Sequence, residues 1–205
     1  EFEMVIFGVN ANKILNKIDS FDNWIKEKEP AIFCIQETKV AAIGQIQTKI
    51  TNKYQFYEKI RVLNPAQGGG LCISVNKDLP SALIRDGGEE VECLTVQVEV
   101  GPHELVVVCG YGPQENSGIS RKEEFWQYLE REVEEASREE KMLVIQMDSN
   151  AWLGNNIIPG DPNLIPNSNG KLFYRFLERN KNISLINSKS ICEGVITRQR
   201  TTELL

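Results

Sequence analysis

The sequence predicts an α/β fold in which helices pack outside two stacked sheets. Three observations lead there. Apolar strand-like runs are spread along the whole chain, with only a few helix-periodic stretches between them. The opening reads strand, helix, strand, a crossover that favours neighbouring parallel strands. No linker, low-complexity segment or short-period repeat divides the chain, so its 205 residues, 41% hydrophobic, are expected to close one domain over 1–205.

The elements follow in order. Met4 to Asn10 is a short apolar run that ends on a polar amide, a first strand. Ile14, Leu15, Ile18, Phe21, Trp24 and Ile25 then recur at helical spacing. That helix must stop ahead of Pro30, because the residue before a proline avoids the helical region. Ala31 to Gln36 is a second strand, 41–50 a short helix, and Tyr54 to Leu63 a third strand. Gly68-Gly69-Gly70 runs into the strand Leu71 to Val75. No Lys-Ser/Thr follows these glycines and a strand comes next, so a bend close to the core or a ligand is expected rather than a P-loop.

Strands continue at Leu83 to Arg85, Val91 to Val100 and Glu104 to Tyr111, the last two joined as a hairpin by Gly101-Pro102. Ser120 with Glu123 reads as a capping box for a helix over 121–137, with Phe125, Leu129 and Val133 facing inward. The strand starting at Met142 runs out into Asp148-Ser-Asn-Ala-Trp152. Residues 154–169, rich in Asn, Pro and Gly, read as a surface loop, and Gly170 to Asn180 as a helix burying Leu172, Phe173, Phe176 and Leu177. Ile183 to Asn187 and Val195 to Gln199 are the last strand candidates.

Composition narrows the function. No apolar run approaches the roughly 20 residues of a membrane span, and no secretory signal is visible. The five cysteines (Cys34, Cys72, Cys93, Cys109, Cys192) show no CxxC spacing and mostly lie in apolar runs, which suits buried thiols in a reducing compartment. The net charge of -6 argues against an extensive nucleic-acid surface. It leaves room for a nuclease, whose carboxylates hold a cation while basic residues rim the cleft.

The chemistry is expected where strands end. Asp148 and Asn150, two positions apart, point the same way from an extended chain. Asn10, Glu37 and Tyr111 likewise follow apolar runs. Ends of strands in α/β sheets are where polar groups converge on ligands. Glu37 offers a hard oxygen to Mg²⁺. Asp148 is suited to orienting or deprotonating a water, and Tyr111 to donating to a phosphate. Asn10 and Asn150 are suited to steadying the carboxylates or the non-bridging oxygens. His103, the single histidine, sits in a hairpin turn and is not expected to be a base.

Asn10 after a short strand, Ile35-Gln-Glu-Thr-Lys39, Gly69-Gly-Leu71, Tyr111-Gly-Pro113 and Asp148-Ser-Asn-Ala151 occur in one order. That order resembles the endonuclease/exonuclease/phosphatase superfamily, and most of all the apurinic-like endonuclease domain of non-LTR retrotransposons. The resemblance implies a four-layered α/β-sandwich of two mixed sheets flanked by helices. It also implies Mg²⁺ or Mn²⁺ dependence, nicking of target DNA to expose a 3′-hydroxyl primer, a downstream reverse transcriptase in the same polyprotein, and action in the nucleus. By motif, Glu37 is similar to the metal ligand, Asn10 to its supporting amide, and Tyr111 to the phosphate-positioning phenol. Asp148 and Asn150 resemble the pair that prepares the nucleophile and steadies the scissile phosphate. Thr197 matches a threonine that contacts the DNA backbone. Arg198, Arg200 and Lys39 are further candidates for that contact.

The sequence also departs from the pattern. The usual Gly-Asp-Phe-Asn reads Met147-Asp-Ser-Asn150, and the chain reaches Leu205 before the family's aspartate-bearing strand and Ser-Asp-His motif. The expectation is a sandwich lacking its final strands, with weak or no activity as it stands, and a sheet edge open to pairing with a second copy. Two alternatives accompany this reading. One is a phosphoesterase of the same superfamily acting on a small phosphoester or phosphoinositide, the other a non-catalytic binding domain of the same fold.

Overall fold

The structure is a computed structural model that describes residues 4–61, 69–154 and 165–186. The apolar runs form eight strands among these residues. They are β1 (Ile6–Asn10), β2 (Ile32–Gln36), β3 (Tyr54–Lys59), β4 (Leu71–Asn76), β5 (Ser81–Asp86), β6 (Cys93–Val100), β7 (His103–Tyr111) and β8 (Met142–Asp148). Three helices accompany them: α1 (Ile18–Lys28), α2 (Ile119–Arg138) and α3 (Ser168–Arg179). A 3-10 turn at Ile14–Asn16 leads into α1.

The strands divide into two mixed sheets of four. One has the order β1-β2-β4-β3, the other β5-β6-β7-β8. In the first, β1 runs parallel to β2, and β4 is antiparallel to β2 and β3. In the second, β6 is antiparallel to β5 and β7, and β8 is parallel to β7. Each sheet therefore contributes one parallel pair made by a helical crossover, through α1 and α2.

Alternation along the strands builds the layers. Ile32, Cys34, Leu71, Ile73 and Val75 of the first sheet meet Leu94, Val96, Val98, Leu105, Val107 and Cys109 of the second. The intervening residues Phe33, Ile35 and Cys72 face outward and are covered by Ile14, Ile18 and Ile25 of the first helical segment. On the other side, Cys93, Val106 and Val108 pack beneath Phe125, Leu129 and Val133 of α2 and Phe173 and Phe176 of α3. Helix, sheet, sheet, helix is the four-layered sandwich expected from the sequence. Cys34, Cys72, Cys93 and Cys109 are free, buried thiols within it; Cys192 lies outside the described residues.

Three local expectations need correction. Residues 41–50 form successive turns, not a helix. Gly44 sits at φ +86°, and its amide is drawn to the Glu58 carboxylate instead of a helical carbonyl. The capping box at Ser120 is also absent. The helix begins two residues earlier, Gly118 occupies the cap position without a side-chain bond, and the Ser120 hydroxyl donates to Glu124. Ile183–Ile186 form no strand; the chain folds back there, with the Ile183 amide on the Asn180 carbonyl. The remaining strand candidate, Val195 to Gln199, lies outside the described residues.

The register places the polar strand ends together. Asn10 pairs with Gln36 at the carboxyl end of one parallel pair, and Tyr111 with Asp148 at the end of the other. The two pairs are stacked: a Cβ added to Gly8 on β1 would lie 2.2 Å from the Gln146 side chain of β8.

Candidate active site

Two backbone devices shape the first half of the site. Parallel pairing continues past the strands, with the Ala11, Lys13 and Ile14 amides donating to the Gln36, Glu37 and Thr38 carbonyls at 2.9, 2.9 and 3.2 Å. The chain then turns sharply at Glu37 and Lys39, both with positive φ (51° and 50°). This is a conformation that non-glycine residues adopt only when the surroundings hold them there. What holds them is the Gly69-Gly70 bend, whose carbonyls each accept at 3.1 Å from the Lys39 and Thr38 amides. The glycines expected to make a close approach therefore make it to the Glu37 turn.

Asn10 joins the two sheets. Its Oδ1 accepts from the Asn12 amide at 3.0 Å, which fixes the orientation of the carboxamide. Its Nδ2 then donates to Glu37 Oε1 at 2.8 Å and to Asp148 Oδ2 at 2.6 Å. The two acids expected to meet are thus bridged by one amide. Glu37 Oε2 is paired with Lys39 Nζ at 3.0 Å, and Lys39 also donates to Asn12 Oδ1 at 2.6 Å. Burial raises the Glu37 pKa, but hydrogen bonds from Asn10, Lys39 and Tyr111, with the Lys39 charge, outweigh it and hold the carboxyl below its ordinary value.

The second half comes from β7 and β8. Tyr111 is the last residue of β7 and is buried. Its phenol lies within reach of the Asn150, Gln114 and Glu37 side chains. Burial, joined by the Glu37 charge, raises its pKa against the opposing bonds from Asn150 and Gln114, so the hydroxyl keeps its proton. Asn150 has φ 49° and closes a turn: its amide donates to Asp148 Oδ1 at 3.1 Å and its Nδ2 to the Gly112 carbonyl at 2.7 Å. Gly112 in turn donates to the Asp148 carbonyl at 2.7 Å.

Asn10, Glu37, Lys39, Tyr111, Asp148 and Asn150 therefore converge in one half-buried cluster. Thr197, Arg198 and Arg200 lie outside the described residues, as does most of the Asn155–Asn167 loop. His103 begins β7, at the far end of the strand from Tyr111, roughly 25 Å away at 3.3 Å per residue.

Four contributors had no role assigned from sequence. Asn12 orients both Asn10 and Lys39. Gln36, buried between the sheets, donates to the Gln146 carbonyl at 3.4 Å. Glu92 accepts from the Gly70 amide at 3.0 Å. Asn167 donates to the Asn150 carbonyl at 3.0 Å while capping α3 through Gly170 at 2.7 Å. Only Asn167 carried a local sign, an asparagine at a helix start.

The donors suit a hard divalent cation. Mg²⁺ is usually held by one or two carboxylates and completes its shell with water. Glu37 and Asp148 are the two carboxylates that could fill that role. Among the described residues only Lys39 forms an ion pair with either, leaving one negative charge uncompensated. No group of three or more His, Cys, Asp or Glu residues suited to a metal occurs among them.

No protein-family model matches the sequence, and no curated protein matches it. Solved structures do. The endonuclease domain of TRAS1, a telomere-specific non-LTR retrotransposon, is similar over 86% of this chain and 70% of that one, at 14% identity and a TM-score of 0.59. The chain has the endonuclease/exonuclease/phosphatase fold. An AP endonuclease from Archaeoglobus fulgidus matches over 86% of this chain and 71% of its own, at 18% identity and a TM-score of 0.54. Truncated TDP2 of Caenorhabditis elegans matches over 73% and 63%, at 14% identity and a TM-score of 0.56. At these identities the likeness is one of fold.

Proposed function

We propose that this chain is a metal-dependent DNA endonuclease domain of a non-LTR retrotransposon protein. It would nick target DNA in the nucleus to leave a 3′-hydroxyl primer for a reverse transcriptase in the same polyprotein. The observation that carries this reading is the Asn10 carboxamide shared between Glu37 and Asp148. It brings two acids from different sheets to one point, beside a protonated phenol. The retrotransposon assignment rests on the motif order and on the fold shared with TRAS1.

The residues divide the work. Glu37 and Asp148 would hold Mg²⁺, for which Mn²⁺ can substitute, with Asn10 keeping both turned inward. Such an ion supplies positive charge where oxygen charge develops around phosphorus. Asp148 orients the attacking water and is placed to take its proton. Tyr111, kept protonated, donates to a non-bridging phosphate oxygen. Asn150 holds the Tyr111-Gly112 turn and, through its amide, the Asp148 carboxylate. Lys39 balances Glu37 at the rim, and Thr197 and Arg198 are proposed to meet the DNA backbone. Among the described residues β8 pairs only with β7, so its free edge is proposed as a place for a second copy; sedimentation showing only monomer at high concentration would remove that idea.

The test compares the native chain with Glu37→Ala and Asp148→Asn, for Mn²⁺ binding by electron paramagnetic resonance and for nicking of supercoiled plasmid in Mg²⁺. Both substitutions are expected to weaken metal binding and to abolish whatever weak nicking the native chain shows. Equal binding and nicking by all three proteins would defeat the assignment. Hydrolysis of a phosphoinositide in place of plasmid would move the substrate to a small phosphoester.

A further inference from the structure

We infer that Glu92 is a positioning residue for the site, gripping the Glu37 turn through Gly70 and the Tyr111 strand end through its own carbonyl. This rests on the reading that Glu37 and Tyr111 belong to the cleavage site. Glu92 precedes β6 and is 8% exposed, a rare degree of burial for a glutamate without a partner. It has three partners. Oε2 is paired with the Arg61 guanidinium, and Oε1 accepts from the Gly70 amide at 3.0 Å. Its backbone carbonyl accepts from the Tyr111 amide at 2.9 Å.

The Gly70 bond is the consequential one. Gly69 and Gly70 stand at φ +91° and +84°, and their carbonyls carry the amides of Lys39 and Thr38. Those bonds in turn hold Glu37 in its left-handed conformation. A side chain at either glycine would be strained by the positive φ and would crowd its neighbours. A Cβ on Gly69 would lie 2.3 Å from Glu92 Oε1, and one on Gly70 would lie 2.4 Å from Thr38 Oγ1. Thr38 is fully buried and its hydroxyl has no partner among the described residues, so the turn relies on its backbone bonds. Glu92 thus reaches the Glu37 turn on the first sheet through Gly70 and the Tyr111 strand end on the second through its carbonyl.

The experiment is residue-resolved amide hydrogen exchange on the metal-free chain, with Glu92→Leu, Glu92→Gln and Glu92→Asp. Removing the acceptor opens the turn locally. In Glu92→Leu, exchange at Thr38 and Lys39 is expected to accelerate about fivefold or more relative to mid-strand amides of β6 and β7. Glu92→Gln keeps an oxygen for Gly70 and should stay within about twofold of native on the same ratio. Should Glu92→Leu not fold, Glu92→Asp, which draws the carboxylate back by one methylene, is read the same way. The proposal is overturned if Thr38 and Lys39 keep pace with the core strands in whichever of Leu and Asp folds, or if Gln behaves as Leu does. Plasmid nicking by the same proteins separates the two ideas. A lower kcat at unchanged KM is expected for Glu92→Leu, whereas a native chain that neither binds Mn²⁺ nor nicks would refute the cleavage reading and leave the exchange ratio standing.

Discussion

The Glu37 and Asp148 carboxylates accept from the same Asn10 Nδ2 atom, at 2.8 and 2.6 Å, although one extends from β2 of the first sheet and the other from β8 of the second. Without that donor two anions would face each other with little between them.

Asn10→Ala therefore has a signed expectation. The metal-free protein should lose about 1–2 kcal/mol of stability, from two partly buried hydrogen bonds to charged acceptors. Saturating Mg²⁺ should return part of it, because a cation then separates the acids. Urea unfolding with and without Mg²⁺ measures both. Nicking should fall about 100-fold.

Glu37 has its pKa lowered below 4.5 in the folded state, by Asn10, Lys39 and Tyr111 against the opposing effect of burial. A depressed carboxyl stabilises the fold above its unfolded pKa and loses that contribution as pH falls through the folded one. In chelator, the native chain should exceed Glu37→Gln in stability near neutrality. The difference should shrink as pH drops below about 4.5. A gap that stays constant down to pH 3 would contradict the assigned bonds.

Tyr111→Phe removes a hydroxyl while keeping the buried ring. A fall in kcat of about 10- to 100-fold at near-constant KM is expected, since the phenol acts on charge that develops during cleavage. An equal loss in KM alone would place it in substrate binding.

Gly112→Ala tests the closeness of the β7 and β8 exits. The added Cβ would lie 2.4 Å from the Ser149 carbonyl oxygen, a backbone atom that cannot swing aside. About 1–3 kcal/mol of destabilisation is expected by denaturant unfolding. Nicking should suffer too, because the turn carrying Asp148 and Asn150 must shift.

What was legible in the sequence follows from physics local to each strand. Asn10, Tyr111 and Asp148 end apolar runs and Glu37 directly follows one, so their positions at one end of the sheets could be read from hydrophobic pattern and polar exit. The layers were legible for the same reason, since Ile32, Cys34, Leu94 and Val96 alternate with residues covered by helices. Glu92 was not, because its role depends on a hydrogen bond to Gly70, 22 residues away; Asn12 was not, because its local bond to Asn10 gains meaning only through Lys39, 27 residues away. The 41–50 segment misled because its apolar residues, among them the buried Ile46, serve a turn pinned to Glu58 rather than a helix face.

The seam between the sheets has a thermal consequence. Asn10 is anchored in one sheet and Asp148 in the other, and Gly8 admits the Gln146 side chain between them. A slip of an ångström between the layers would part the acids while leaving each sheet's own ladder intact. On warming, the cluster would come undone ahead of the sandwich, and loss of function would be recoverable on cooling as long as the layers stayed closed.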